Sequence, residues 1–394
     1  MTPSWKKLFA LSVLGVAIHT VAQISMRPEV AKPLQAAQEA IQSKQPDVAL
    51  QKIQEARLTP QLTDAEKMYL ERLSVVAAMN AQKFDLAANS LDYLLQSQQL
   101  PAADRLSLIE TMVGVSQRNK DYIKVVQWAR RYAQEGGKNQ SVHLMKIQAL
   151  ALQGLHQEVL QEKLEAYRSL GYLAQESELR IYAFSHKQLK DEAGYVSTLT
   201  QLVTRFPSEN YWSDLLNIMG RAPGINARRQ LDVSRLMAAS GTLQDGEDYL
   251  DAAQFAIKSG LPYEALRFLD QGQAEGLLKG ALAANAVKLK HQAQQGAAED
   301  DKTLKSLTLA TENGPMLMQL ADVLLSKGQW HEAAEVYQKA LSKGGLKHEG
   351  EARLHCGIAL IKAKQNDAAK AMLQTVTGDA AYGLMATLWI SLAK

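Results

Sequence analysis

The stretch GQWHEAAEVYQKAL, Gly328–Leu341, carries two readings. His331-Glu332 looks like the start of a helical zinc site, in which two His four residues apart bind the metal and a Glu between them acts as base. Position 335 is Glu, so the first ligand has no partner and that reading fails. The second reading is packing. Ala333, Tyr337 and Ala340 lie four and three residues apart, on one face of a helix, and Trp330 precedes them by one turn.

The same pattern recurs. It appears as Pro46/Ala49/Ile53/Ala56, Phe84/Ala87/Leu91/Leu94 and Tyr122/Val125/Ala129/Tyr132, and more weakly as His156/Val159/Lys163/Ala166. Pro262/Ala265/Leu269/Gly272 and Asn366/Ala369/Leu373/Val376 follow. From Ala49 the first small residues are separated by 38, 38, 34, 106, 68 and 36 positions. The intervals of 106 and 68 are three and two units, so the period averages about 35.6 residues. Ten helix pairs result, with fainter ones expected at 176–205, 209–240 and 281–311. The final run AAYGLMATLWISLAK would cover the last pair, whose face is otherwise left in water. No segment alternates with a period of two, so strands are not expected. Of the ten prolines, Pro33, Pro46, Pro101, Pro207, Pro262 and Pro315 stand where helices would begin or pairs would join.

This pattern resembles the tetratricopeptide repeat, a 34-residue helix–turn–helix unit. The best copy runs from Gly314 to Leu341, with Gly328 in the turn, Trp330 after it, Ala333 and Ala340 at the small positions and Tyr337 between them. HCGIALIKAKQNDAAKAML matches next, through Gly357, Ala369 and Leu373, and the resemblance spans about residues 30–377. It implies an all-α solenoid of about ten pairs in a right-handed superhelix with a C-terminal capping helix. It also implies a concave groove, lined by the first helix of each pair, that takes an extended peptide or a partner helix. By position the groove contacts would be Ser213 and Asn217; Leu250, Gln254 and Lys258; Met318, Gln319, Asp322 and Ser326; and Leu354, His355, Ile358 and Lys362.

The first 22 residues read differently. Lys6 and Lys7 precede an apolar run from Leu8 to about Ala17, and small residues at Thr20 and Ala22 suit signal-peptidase cleavage after Ala22. The run is shorter than the ~20 residues a spanning helix needs. The alternative is an inner-membrane anchor through uncleaved residues 5–22. Cleavage would change the net charge from +3 to +1, and no basic block suggests nucleic-acid binding. Cys356 is the lone cysteine, in an apolar helical run where a small core residue is expected, so no internal disulfide can form. Export without disulfides suits a bacterial periplasm. The expected domains are 1–22, an N-terminal array 23–219, a joint or inserted loop at 220–230 and a C-terminal array 231–394; the break falls in MGRAPGINARRQ, 219–230, where Arg221, Arg228 and Arg229 follow closely.

No constellation for chemistry stands out. GGLKHEG lacks the strand and the Lys-Ser/Thr ending of a phosphate loop. No Gly-x-Ser-x-Gly elbow is present, and the His residues are not spaced as metal ligands. Glu299-Asp300-Asp301 is expected to start a helix, where acids complement the dipole. The expectation is a non-enzyme without cofactor or metal, a periplasmic scaffold for a protein or extended peptide partner in the cell envelope. The alternative is an accessory subunit that binds a glycan, or an assembly or export enzyme for an envelope polysaccharide.

Overall fold

A computed structural model describes residues 26–98, 100–170, 173–310 and 313–393. The expected signal segment, 1–22, lies outside the described residues. Nine helix pairs, one unpaired helix and a terminal helix make up the described fold. The pairs are α1 (Pro28–Gln42) with α2 (Pro46–Arg57), α3 (Asp64–Asn80) with α4 (Phe84–Gln96), and α5 (Ala102–Arg118) with α6 (Tyr122–Gln134). Then come α7 (Gln140–Leu152) with α8 (His156–Leu170), α9 (Glu176–Gln188) with α10 (Glu192–Arg205), and α11 (Glu209–Gly220) with α12 (Ala227–Ser240). The α13 (Gly246–Lys258) and α14 (Pro262–Ala274) pair is followed by the single helix α15 (Ala283–Ala310). The last pairs are α16 (Gly314–Lys327) with α17 (Trp330–Lys343) and α18 (Glu349–Lys362) with α19 (Asn366–Gln374), capped by α20 (Ala380–Leu392).

The turns inside the pairs reproduce the period independently of the packing letters. Lys44, Gln82, Lys120, Gly154, Lys190, Gly260, Gly328 and Lys364 all have left-handed backbone, φ between 56° and 80°. In each of these turns the N–H of the next residue reaches back five positions to a carbonyl of the first helix, at 2.8–3.0 Å. That bond ends a helix and reverses the chain in two or three residues. The second helices then bury the expected small residues: Ala49, Ala87, Val125, Val159, Ala265, Ala333 and Ala369 are each 0% exposed. Contact this close continues at Gly357, where an added Cβ would sit 2.4 Å from Leu373.

Three expectations change. The segment expected as a faint pair over 281–311 is a short 3₁₀ turn and then one 28-residue helix, α15. It contains no proline, and a single Gly296 costs only about 1 kcal/mol in a helix, too little to break it. Consequently Glu299–Asp301 do not begin a helix; they lie within α15, and Asp301 pairs with Lys327 at 2.8 Å. Pro33 does not begin a helix either. Pro28 starts α1, and Pro33 sits inside it, past the first turn.

The chain forms two compact units, Met1–Tyr195 and Val196–Lys394. In the first, helices pack on their neighbours in order, α1 on α2 and α3, then onward to α9. Its first core joins Val30, Leu34 and Ala37 to Ala49, Ile53, Leu70 and Ala77. In the second, Leu231 of α12 joins Tyr249, Leu250, Ala265, Phe268 and Leu269 of α13 and α14, with Leu289 and Ala293 of α15. The 220–230 segment belongs to this unit, where residues 221–226 link α11 to α12. Here α12 also packs against α20, far along the chain.

Candidate binding face of the second unit

The first helices α16 and α18 turn a shared face toward α12. Arg228, Asp232 and Arg235 stand at i, i+4 and i+7 of α12, so they project as one row. Arg228 donates from Nε to Glu351 and from Nη2 to Asp322. Arg235 grips Glu264 with two bonds, Nε to Oε1 at 3.0 Å and Nη2 to Oε2 at 2.6 Å. Its Nη1 donates to Asp232 Oδ1 at 2.7 Å. Arg229 reaches Asp379, the residue capping α20, and lies over the Tyr382 ring at 5.0 Å.

His355 sits at the centre and is wholly buried. Its Nε2 is 2.9 Å from Asp232 Oδ1 and its Nδ1 is 3.3 Å from Asp322 Oδ1. Nε2 also lies 3.1 Å from Arg235 Nη1, but each ring nitrogen has a carboxylate oxygen to donate to, and that favours the imidazolium. Burial alone would lower its pKa, but Asp232 and Asp322 outweigh burial and lift it to about 9. Charge balance agrees. Arg228, Arg235, Arg267 and protonated His355 face Asp232, Glu264, Asp322 and Glu351. The carboxyls of Asp232, Glu264 and Asp322 are held below their usual range despite burial, because these cations stabilise the charged form.

The opening stretch meets this network twice. Tyr337 is buried as stacking requires, and its hydroxyl also donates to Asp322 Oδ1 at 2.5 Å; burial first, and Asp322 with it, raises its pKa well above the ordinary value. Trp330 stacks under the Arg267 guanidinium at 4.8 Å. Arg267 donates to the Ser326 carbonyl, and Ser326 Oγ accepts from the Glu264 N–H at 2.9 Å. His331 is exposed beside Glu335.

The residues expected to line the groove divide by burial. Asp322, Ser326 and His355 come together in the network. Leu250, Leu354 and Ile358 are buried in the core. Ser213 and Met318 are half-buried, while Asn217, Gln254, Lys258, Gln319 and Lys362 are exposed. Sequence reasoning missed Asp232, Arg235, Glu264, Glu351 and Asp379, and took Arg228 and Arg229 only as charges after a long break. The available signal was the spacing of Arg228, Asp232 and Arg235, a polar row on a helix otherwise rich in core residues.

The arrangement holds α12 by charge. Among the described residues no group of three or more His, Cys, Asp or Glu is placed to hold a metal ion. Cys356 is fully buried, and burial pushes its thiol up to about 12, far from the thiolate a nucleophile needs.

Residues 324–386 match the family model described as tetratricopeptide repeat, a span running from α16 into α20. Two solved structures are similar in fold. One, titled "Structure of Naa15/Naa10 bound to HypK-THB", is 16% identical, with 86% of this chain and 57% of that chain covered and a TM-score of 0.42. The other, the pentatricopeptide repeat protein PPR10 from maize, is 16% identical, with 90% and 56% covered and a TM-score of 0.37. In both cases this chain spans less than two thirds of the other. No curated protein sequence matches the chain. The tetratricopeptide-repeat match thus covers the C-terminal repeats, and helix pairs make up most of both units among the described residues.

Proposed function

We propose that the chain is an exported, non-catalytic scaffold that binds a protein partner in the bacterial cell envelope. The observation that carries the binding role is α12. The first helices of the C-terminal repeats already hold a helix, by side-chain charge and at sequence separations above 90 residues. Repeats that grip a helix in this way are built for recognition. Gln254, Lys258, Gln319 and Lys362, exposed on first helices, are the contacts this reading assigns to a partner in the second unit. Export is supported by the basic and then apolar start, Lys6 to Ala17, and by a fold that needs no disulfide. No helix among the described residues is long and apolar enough to cross a membrane.

Two measurements test this. Fractionation of the tagged full-length chain, with N-terminal sequencing, should place it in the periplasm and start it at Gln23. A chain that keeps Met1 and stays in the cytoplasm overturns the envelope part. Crosslinked affinity capture from envelope extract should then recover a protein that rebinds in purified form at a defined stoichiometry. Capture that repeatedly recovers none overturns the scaffold part.

A further inference from the structure

In the first unit the five turns inside the helix pairs lie side by side. Lys83 of the second turn pairs with Asp47, just past the first, at 2.8 Å. Asn119 of the third donates to Asp85, just past the second, at 2.8 Å. Gln153 of the fourth donates to the Tyr122 carbonyl, just past the third, at 3.2 Å. His156, just past the fourth, meets Ser185 near the end of α9 at 3.3 Å and packs edge-on against Phe184 at 5.4 Å. These bonds tie the turns from α1–α2 to α9–α10 into one continuous edge.

Stacking leaves two features of this edge unexplained. The first is its backbone. Lys44, Gln82, Lys120 and Lys190 hold left-handed conformations, with φ between 56° and 59°. Glycine escapes the Cβ clash there, and Asn is the next best tolerated residue. Three of the five turns instead place an exposed lysine at a strained position. The second feature is apolar. Ten large apolar side chains are exposed among the described residues, and five of them stand on this edge. They are Val48, Ile123, Leu152, Leu155 and Leu189, each between 38% and 62% exposed.

Most acids of the edge are already engaged. Asp47 holds Lys83, Asp85 holds Asn119, Asp121 caps α6, and Asp191 holds His186 and the Gly194 N–H. Glu192 remains exposed, against the exposed cations Lys44, Arg118, Lys120, Lys187 and Lys190. Lysines interleaved with leucine and isoleucine match a particular kind of surface. Apolar side chains gain by entering the boundary between lipid headgroups and acyl chains, and ammonium groups gain beside anionic headgroups. A row of turn tips is also a shape that a flat bilayer can meet along its whole length.

We propose that the turn edge of the first unit is a peripheral membrane-binding surface for anionic phospholipid. Ile123, Leu152, Leu155 and Leu189 enter the headgroup boundary, and Lys44, Lys120 and Lys190 lie against the lipid phosphates. This surface is separate from the contacts assigned above to a protein partner. It holds the chain at a bilayer whether or not the N-terminal segment is removed.

The test is co-sedimentation of the purified chain with vesicles of phosphatidylcholine, with and without about one third phosphatidylglycerol. Wild type and variants are purified alike and share one N-terminus, so differences between them report the edge. The charge variant is Lys44→Gln/Lys120→Gln/Lys190→Gln, and Gln82 shows that Gln is accepted in the same turn conformation. The apolar variant is Ile123→Ser/Leu155→Ser/Leu189→Ser. A control, Lys32→Gln/Lys67→Gln/Lys138→Gln, removes equal charge at the opposite ends of the helices. The wild type should bind the anionic vesicles about tenfold or more tighter than the neutral ones, and less tightly as salt rises. The charge variant should lose about tenfold or more of that affinity, the apolar variant should lose a similar share, and the control should bind like the wild type. A wild type that ignores anionic vesicles overturns the proposal. So does equal binding by the wild type and both edge variants, which places the lipid contact elsewhere. Binding of a polyglutamate peptide through the same lysines, without vesicle binding, makes the edge a protein site and also overturns it. Capture of a protein partner is read separately, so the scaffold role and the membrane surface can each fail alone.

Discussion

The two units use the same helix pair and tie it together differently. In the first unit the polar contacts between helices join near neighbours in sequence. Arg27 meets Glu66 across 39 positions, Lys83 meets Asp47 across 36, Arg72 meets Asp104 across 32 and Arg130 meets Glu158 across 28. These separations are about one repeat, as expected where each unit contacts only the next. In the second unit Arg228 meets Glu351 across 123 positions, Asp232 meets His355 across 123 and Arg229 meets Asp379 across 150. A stack of short-range contacts can grow from any pair. A contact across three or four repeats must wait until the intervening chain is folded, and it closes a loop at an entropic cost. The buried charges of the second unit add little net stability, because desolvation offsets most of their attraction. Their effect is to make one arrangement of α12 acceptable and misplaced ones costly.

Breaking this closure should give the largest effect. Arg235→Ala leaves Glu264 and Asp232 buried without their cation. The second unit should lose about 3–5 kcal/mol, while amide exchange of the first unit stays unchanged. The matching change in the first unit is Leu91→Ala, which hollows an apolar stacking contact at a fully buried site. It should cost about 2–5 kcal/mol, be confined to the first unit by the same exchange measurement, and be insensitive to salt.

The comparison sharpens with pH. His355 has its pKa raised from 6.5 to about 9 in the folded chain. Its contribution is thus fully present below pH 6.5 and is lost as pH rises through about 9, worth on the order of 3 kcal/mol. Asp232 and Asp322 face the ring as carboxylates, Arg235 lies beside it, and Tyr337, raised above its ordinary value, meets it edge-on. Chemical denaturation from pH 6 to pH 9.5 should show the second unit weakening, and the first unit strengthening slightly up to about pH 7.5 and then flat, because burial lowers His143 to about 4 and lowers His156 as well. In the first unit Glu66 is lowered to about 2 by its bonds to Arg27 and Thr63, so its contribution holds above pH 4.5 and fails as pH falls through 2. The smallest effect belongs to the exposed Lys83–Asp47 pair. Lys83→Ala should shift stability by about 0–1 kcal/mol, and a larger shift would mean that surface charge matters to the first unit as buried charge matters to the second.

Much of this was legible in the letters, and the failures have physical causes. Ala333, Tyr337 and Ala340 disclosed the pair because stacking imposes small and bulky residues at fixed helical spacing, and the recurrence averaged out local noise. The left-handed turn residues escaped notice because five of the eight are Lys or Gln rather than Gly. The long α15 was invisible because neither turn nor break is written into 283–310. Asp322, Ser326 and His355 were read as groove contacts, yet all three are buried, Asp322 and His355 against α12 more than 80 residues upstream and Ser326 against α14, and no periodicity within a repeat encodes that. Tyr337 could be read for its ring but not for its hydroxyl, whose acceptor lies on the other helix of the pair.

The most direct test of the closure is a double-mutant cycle on Arg228→Ala and Glu351→Gln, with stability of the second unit followed by denaturant unfolding. The two side chains are bonded although 123 positions apart. Direct bonding requires a coupling of about 0.5–3 kcal/mol. Changes that add within about 0.3 kcal/mol would mean that α12 does not close the C-terminal repeats.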